Sequence, residues 1–454
     1  MKIKIAALKL FLWFYGCTAF ILLMLAFLLI LHKNDYSVHT TTVFFLDVVG
    51  RMLTSIFFHI IAILPYLIFL LIKRIISDYK RNKIKGLLTG SLLKAAIFIA
   101  ILYIGNLMLQ SYRVSEVSDY TWDTTVENNS NSVNNYGNID KKQRGIHVFN
   151  ISGNSEDIEK LKTNNFEWIT LTPFISQGDY NKPSLRVISE DRYKNILKHY
   201  KAIKAECDVY GIKIMLKPHI WLSKTKNGKW RSDINMETEQ DWNTWFKNYN
   251  QIILKYATLA EELQLEQFCI GTELETTIYE KPEQWKALIQ KVKAVYKGKL
   301  TYAANWNAEY KKVPFWDELD YIGIQAYFPL SEKDDPTLEA LENYWKKHTE
   351  EIALVSSKFN KPILFTELGY KSIQGTSKKP WEWNGIHSLY SKISKGEQLL
   401  CYQAFFNTIW KEPWFHGIHI WEWQGRGESD GNNTNFTIEG KPSLNLIAKH
   451  FKGN

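Results

Sequence analysis

Glu266-Gln267-Phe268-Cys269-Ile270-Gly271-Thr272-Glu273-Leu274 is an apolar run, too short for a stable helix, that ends on a carboxylate. A run of this length between turn signals reads as a buried strand, here residues 266–271. Seven similar runs lie around it. Residues 145–149, 168–173 and 212–216 precede it, and residues 300–305, 321–327, 362–366 and 417–421 follow. Helical spacing separates most of them. Tyr193, Ile196, Leu197, Tyr200 and Ile203 fall on one face, with Gly211 just past the end; Trp242, Trp245, Tyr249, Ile252, Ile253 and Tyr256 form another. Eight strands alternating with helices over about 300 residues predict an α/β fold, a (β/α)8 TIM barrel over residues 144–454. A doubly wound open sheet is the alternative. It would usually carry a glycine-rich phosphate loop after the first strand, and this sequence has none there.

Active sites of such barrels form where strands end and βα loops begin. The fourth strand runs into Thr272-Glu273-Leu274-Glu275, the seventh into Thr366-Glu367-Leu368 and the eighth into Trp421-Glu422-Trp423. The third ends Lys217-Pro218-His219, the fifth Asn305-Trp306 and the sixth Gln325-Ala326-Tyr327. Carboxylates on nearly opposed strands can face each other across a cleft, as glycoside hydrolysis requires. Sixteen of the 17 tryptophans follow residue 112, and flat aromatic faces suit the apolar CH faces of pyranose rings. Trp242 and Trp245, on a helix, read as core; Trp421 and Trp423, beside a candidate site, read as substrate contacts. Glu275 competes with Glu273, because a period of two would put both on one face.

The segments Ile270-Gly271-Thr272-Glu273-Leu274 and Phe365-Thr366-Glu367-Leu368-Gly369-Tyr370, with the Trp-rich eighth strand, resemble clan A retaining glycosidases. Within that clan the sequence is most similar to glycoside hydrolase family 113, mainly β-mannanases. The resemblance covers roughly residues 143–450 and is extended by Lys217-Pro218-His219, Gly228-Lys229-Trp230-Arg231 and Phe436 through Pro442. Many clan members carry Asn before the acid/base; Thr272 stands there in this chain. The resemblance implies Glu273 as acid/base and Glu367 as nucleophile, cleaving β-linked glycans by double displacement. Trp230, Arg231, His219, Asn305, Tyr327, Trp421 and Trp423 are the candidate substrate contacts, with a supporting role behind the site as the alternative for His219. No cofactor is expected, and neither a CxxC pair nor a close Cys/His spacing suggests a metal. The rival readings are a catalytically inactive glycan-binding barrel and an accessory subunit of a membrane envelope-polysaccharide system.

Residues 1–111 hold 12 Lys/Arg against 3 Asp/Glu, whereas the remainder holds 44 of each. The basic character therefore belongs to the N-terminal part, and nucleic acid, which needs a basic face on the soluble part, is excluded as a partner. Residues 10–31, 52–72 and 91–109 are each apolar and long enough to cross a bilayer, so three transmembrane helices are expected in a membrane anchor over 1–111. Lys2, Lys4 and Lys9 precede the first span, and six basic residues from Lys73 to Lys85 lie between the second and third. By the positive-inside rule these stretches are cytoplasmic and the barrel is extracytoplasmic, held at the cell membrane. The Ser/Asn-rich residues 112–143 read as a flexible linker. The expected partners are a polysaccharide or oligosaccharide and the lipid bilayer.

Overall fold

The computed structural model describes residues 2–34, 56–86, 96–105, 140–153, 156–224, 228–382, 392–425 and 433–452. The chain divides into two compact units, 1–111 and 112–454. The expected linker lies outside the described residues up to 139.

Unit 112–454 is a closed parallel barrel. Its strands are β1 (Gln143–Val148), β2 (Trp168–Leu171), β4 (Lys213–Leu216), β6 (Gln267–Thr272), β7 (Lys299–Asn305), β8 (Tyr321–Gln325), β9 (Ile363–Leu368) and β10 (Phe415–Trp423). β1 pairs with both β2 and β10, which closes the ring. Two short strands, β3 (Phe174–Gln177) and β5 (His219–Leu222), pair in parallel outside it. Every residue of β1, β6 and β9 is buried, as expected of parallel strands covered on both faces. All eight barrel strands fall where the apolar runs predict them. The first begins at Gln143, the last residue assigned to the linker.

Helices wrap the barrel and bury aromatic faces on it. Glu239–Glu262 starts at the Thr238 cap, whose hydroxyl accepts from the Asp241 amide, and buries Trp242, Trp245, Tyr249, Ile252, Ile253 and Tyr256. Those two tryptophans are core, as read. Several polar groups inside the ring pair with one another. Gln143 donates to Gln267 Oε1 at 2.8 Å, and His419 contacts Gln143 Oε1 at 2.9 Å and Thr170 Oγ1 at 2.6 Å.

β3 and β5 were not anticipated. The chain breaks at Pro218, which cannot donate to a ladder, and a new strand begins at His219. His219 therefore belongs to its own strand and not to the end of the third.

In unit 1–111, helices Lys2–Asn34 and Ile56–Gly86 are described, with Ala96–Gly105. The first two meet through Phe11–Tyr66 and Phe14–Phe69 ring contacts, each at 5.2 Å, and Tyr15 Oη lies 2.6 Å from His59 Nδ1. Among the described residues, one helix is long and apolar enough to cross a membrane, over Leu8–Leu25, where three were expected. The second expected span starts among residues outside the described set, and its helix continues into the basic stretch Lys73 to Lys85. Of the third, only the ten residues Ala96–Gly105 are described.

Gly271, two residues before Glu273, sits where the ring of helix Pro282–Val295 presses on β6: an added Cβ would lie 2.8 Å from Trp285 Cη2 and 3.0 Å from Tyr249 Oη. Gly271→Ala should overpack this contact and cost about 1–3 kcal/mol. Denaturant unfolding of the full chain, followed by tryptophan fluorescence, checks it; an unchanged midpoint would contradict the packing described.

Candidate active site

Glu367 lies at the C-terminal end of β9 and is 4% exposed. Both of its carboxyl oxygens are engaged. Lys217, at the end of β4, reaches Oε1 at 2.5 Å, and Tyr327 donates its hydroxyl to Oε2 at 2.8 Å. Lys217 also donates to Gln325 Oε1 at 2.7 Å, an oxygen that accepts from Thr366 Oγ1 at 3.1 Å as well. Burial alone would push the Glu367 carboxyl up; the Lys217 ammonium, then His147 and the hydrogen bonds from Lys217 and Gln325, together outweigh burial and bring it down to about 2. Burial lowers Lys217 itself, against the pull of Glu367. Glu367 is therefore the anion of the pair throughout the neutral and mildly acidic range.

Two histidines complete this wall, and their tautomers follow from their partners. His147 Nε2 lies 2.8 Å from the Thr366 carbonyl, which can only accept, so Nε2 carries the proton and Nδ1 accepts from Thr172 Oγ1 at 3.0 Å. Burial lowers its pKa to about 3. His219 Nδ1 lies 3.0 Å from Arg231 Nη1, and a guanidinium can only donate. The His219 proton thus sits on Nε2, 3.4 Å from Glu367 Oε1 and outside hydrogen-bond geometry. Burial, and then the neighbouring Lys217 and Arg231, hold His219 neutral, well below its usual pKa.

Glu273 approaches from the other side. Arg231 Nε lies 3.3 Å from its Oε2, and Trp230 donates its indole N–H to the same oxygen at 3.3 Å. Arg231 also lies over the Trp230 ring, 4.6 Å from the centroid. A continuous path thus links the two carboxylates: Glu273, Arg231, His219, Glu367. The Glu273 backbone has φ of +51°, a left-handed conformation that is uncommon outside glycine and that marks functional turns. Its amide donates to the Ala303 carbonyl at 2.8 Å. The next amide, Leu274, donates to Tyr302 Oη at 2.7 Å, and Tyr302 donates to Glu309 at 2.5 Å. Glu309 accepts from the Asn305 amide with its other oxygen, and burial raises its pKa to about 8.

This turn separates Glu273 from Glu275. β6 ends at Thr272 and a helix begins at Glu275, so the period of two breaks at Glu273. Glu275 instead accepts from Tyr279 Oη at 3.1 Å. Trp421 joins the site: its ring lies parallel to His219, 10° between planes at 6.3 Å, and it clusters with Tyr327 and Phe436. Trp423 does not. The β1–β10 register shifts between Ile146 and Val148, the alternation along β10 is interrupted, and Trp423 packs in the core with its N–H on Asp157 at 2.9 Å. The Asn305 carboxamide is turned to the Asn307 amide, at 3.4 Å, rather than to either catalytic carboxylate candidate. Among the described residues, no group of three or more His, Cys, Asp or Glu side chains could hold a metal ion.

The Glycoside Hydrolase Family 113 profile matches residues 141–441, which span all eight barrel strands and both carboxylates. The chain belongs to this family. It is a glycosidase. Among solved structures, the family 113 β-mannanase of Alicyclobacillus acidocaldarius, in complex with ManMIm, is similar at 24% identity and a TM-score of 0.58, covering 68% of this chain and 97% of that one. A family 113 β-1,4-mannanase solved as a complex is similar at 22% identity and a TM-score of 0.58, covering 69% and 99%. At these identities the likeness shows the fold. No curated protein matches in sequence.

Lys217, Gln325, His147 and Glu309 were not singled out from the sequence as site residues. Lys217 had a signal: a lysine directly after an apolar strand, at the end where barrel chemistry sits. Removing it should leave Glu367 buried without a counter-charge. Lys217→Met should destabilise the chain by about 3–5 kcal/mol. It should also raise the Glu367 pKa, because the largest opposition to burial is removed and only His147 and the Gln325 hydrogen bond remain against it. A carboxylate held at about 2 stays ionised until the pH falls to that value, so the wild type should show no acid limb from Glu367 above about pH 3. In the variant the acid limb of kcat/KM should move to higher pH. A pH–rate profile decides it, and unchanged acid limbs would refute the pairing.

Proposed function

We propose that this protein is a membrane-anchored retaining glycosidase that cleaves β-1,4-mannosidic linkages outside the cytoplasmic membrane. The observation that carries the mechanism is a buried carboxylate, Glu367, held ionised by Lys217 and joined through His219 and Arg231 to a second carboxylate, Glu273. In the first step a Glu367 oxygen attacks the anomeric carbon while Glu273 gives its proton to the departing glycosidic oxygen. In the second, Glu273 takes a proton from water, the water oxygen attacks the same carbon, and Glu367 leaves as a carboxylate. Direct attack needs the carboxyl groups about 5–5.5 Å apart. Tyr327, His219 and Arg231 hold both acids in place, and Trp421 supplies a flat apolar surface for the ring.

The ion pair has a consequence for the second step. When Glu367 becomes an ester its charge is lost, and Lys217 is left buried beside a neutral group. That imbalance disfavours the ester and favours its hydrolysis. The mannoside assignment rests on family membership and on the β-mannanases among the similar structures. The anchor rests on the three apolar stretches and their basic flanks. The domain boundaries proposed are 1–111 for the anchor, 112–143 for the linker and 144–454 for the barrel.

Full-length protein in detergent should release reducing sugar from mannan or glucomannan with net retention, seen by NMR of the first-formed anomer. Inverted product would overturn double displacement; binding without turnover would overturn the enzyme reading of this site. Glu367→Ala should abolish hydrolysis, with azide rescue giving a glycosyl azide of inverted configuration. Glu273→Ala should slow natural substrates by about 10²–10⁴-fold and spare the first step on an activated aryl glycoside. Should Glu275→Ala behave this way while Glu273→Ala stays active, the acid is misassigned. For the topology, a reporter fused after Asn454 should be active only outside the cytoplasm and one inserted at Asp78 only inside. A cytoplasmic C-terminus would overturn both the orientation and an envelope or external glycan as substrate.

A further inference from the structure

Behind the acid lies a carboxyl that the mechanism leaves unused. Glu309 opens the short helix Glu309–Lys312 just after β7 and is fully buried. The charges that push on it, Glu273 and Glu275, are of its own sign, and among the described residues no Lys, Arg or His pairs with it. A carboxyl in a dry place without a counter-charge is costly, and packing alone would be served better by an apolar side chain. The Asn305 amide donates to Oε2 at 2.6 Å, and Oε1 meets the Tyr302 hydroxyl at 2.5 Å. Tyr302 Oη also lies 2.7 Å from the Leu274 nitrogen, and an amide N–H can only donate. The hydroxyl proton therefore points to Glu309, and both carboxyl oxygens accept. That is the pattern of an ionised carboxyl, and it opposes the burial that pushes the Glu309 pKa up to about 8.

Two successive amides of the turn after β6 are thereby held from β7. The Ala303 carbonyl takes the Glu273 amide at 2.8 Å, and the Tyr302 hydroxyl takes the Leu274 amide. Between these two bonds the Glu273 backbone has its φ of +51°, a conformation that costs energy for any residue but glycine. Such a conformation persists only where the surroundings impose it. Tyr302 is suited to impose it, because its ring has no room to shift. It is fully buried and packs on the rings of Trp285, Phe315 and Trp316, at 5.5, 5.8 and 6.1 Å. The freedom left to it is rotation of the hydroxyl, and the hydrogen bond to Glu309 removes that.

We propose that Glu309 is a positioning residue for the acid: by orienting the Tyr302 hydroxyl it secures the Leu274 amide, and so fixes the turn that carries Glu273 to the departing oxygen. This deepens the functional reading above and rests on Glu273 being the acid. Glu309 is sealed behind the turn, so it meets no substrate and exchanges no proton with it. Its loss should damage the step in which Glu273 gives its proton. Attack by Glu367 on a sugar whose leaving group departs unaided should be spared. This selectivity separates positioning from a general structural role, which would lower the rates on all substrates alike.

The test compares full-length wild type with Tyr302→Phe, Glu309→Leu, Glu309→Gln, the combined Tyr302→Phe and Glu309→Gln variant, and Glu273→Ala. The substrates are β-linked aryl glycosides of mannobiose, cellobiose and xylobiose, each with a dinitrophenyl leaving group, which needs no proton, and with a phenyl one, which does. The readout is kcat/KM on the phenyl substrate divided by kcat/KM on its dinitrophenyl partner. Both come from one sample, so the ratio is independent of how much of a variant has folded. It should fall about 10–10²-fold in Tyr302→Phe and Glu309→Leu, the scale of a misplacement of about 1 Å. Glutamine keeps the shape and accepts from one of the two donors, so Glu309→Gln should lower the ratio less than Glu309→Leu. The combined variant should be no worse than Tyr302→Phe, because both residues act along one path. If the ratio falls in Glu273→Ala but not in Tyr302→Phe and Glu309→Leu, the positioning role is overturned and the acid assignment stands. Additive losses in the combined variant overturn the path through Tyr302. A ratio unchanged in Glu273→Ala overturns the acid assignment and this proposal with it, as does a wild type inactive on all six substrates.

Discussion

The Lys217–Glu367 ion pair is the constraint around which the barrel mouth is built. Two charges removed from water cost several kcal/mol each, and their attraction repays this only if the remaining donors and acceptors are also satisfied. Several neighbouring residues contribute to that. Gln325 accepts from Lys217, Tyr327 donates to the second oxygen of Glu367, and His147, neutral, ties Thr172 to the Thr366 carbonyl. These residues come from β1, β2, β4, β8, β9 and the segments just after them, so the pair can form only when the ring has closed. A barrel interior filled with polar partners is in this sense a consequence of needing an anion at a dry place.

Glu273 is held by different means. Among the described residues no cation is placed against it as closely as Lys217 is against Glu367; Arg231 stands at 3.3 Å and shares its guanidinium with His219. Its position depends on backbone geometry, a left-handed turn between β6 and the next helix. Tyr302 and Glu309 support that turn from behind through the Leu274 amide. The two carboxylates are thus treated unequally: one is locked as an anion by a buried charge, the other is placed by a turn and neutral or shared donors. Such an inequality is what a pair with separate tasks requires.

Aromatic residues serve three ends here. Trp245 and Trp285 are fully buried on their helices, and Trp285, with Tyr249 and Tyr302, lies so close to Gly271 that an added Cβ would overpack the contact. Trp421 stands at the site, parallel to His219. Trp221 and Phe174 stay half in solvent on a sheet that adds nothing to barrel closure. Composition alone could not divide the tryptophans among these tasks.

Much was legible in the sequence, because each barrel strand is buried on both faces and so reads as an unbroken apolar run. Their number, their alternation with helical spacing and the carboxylates at the ends of the fourth and seventh were therefore visible without coordinates. So was the charge asymmetry between residues 1–111 and the rest, which depends on local composition. What only the tertiary structure decided concerns side-chain direction and distant partners. Period two put Glu273 with Glu275 and Trp421 with Trp423. A positive φ broke the first pairing and a register shift broke the second, and neither is encoded in a repeat of apolar residues. Lys217 and Glu367 are 150 positions apart, and Tyr302 and Glu309 act on Glu273 from the neighbouring strand and the segment after it. These contacts depend on closure of the ring, a property of the whole sheet and of no single segment.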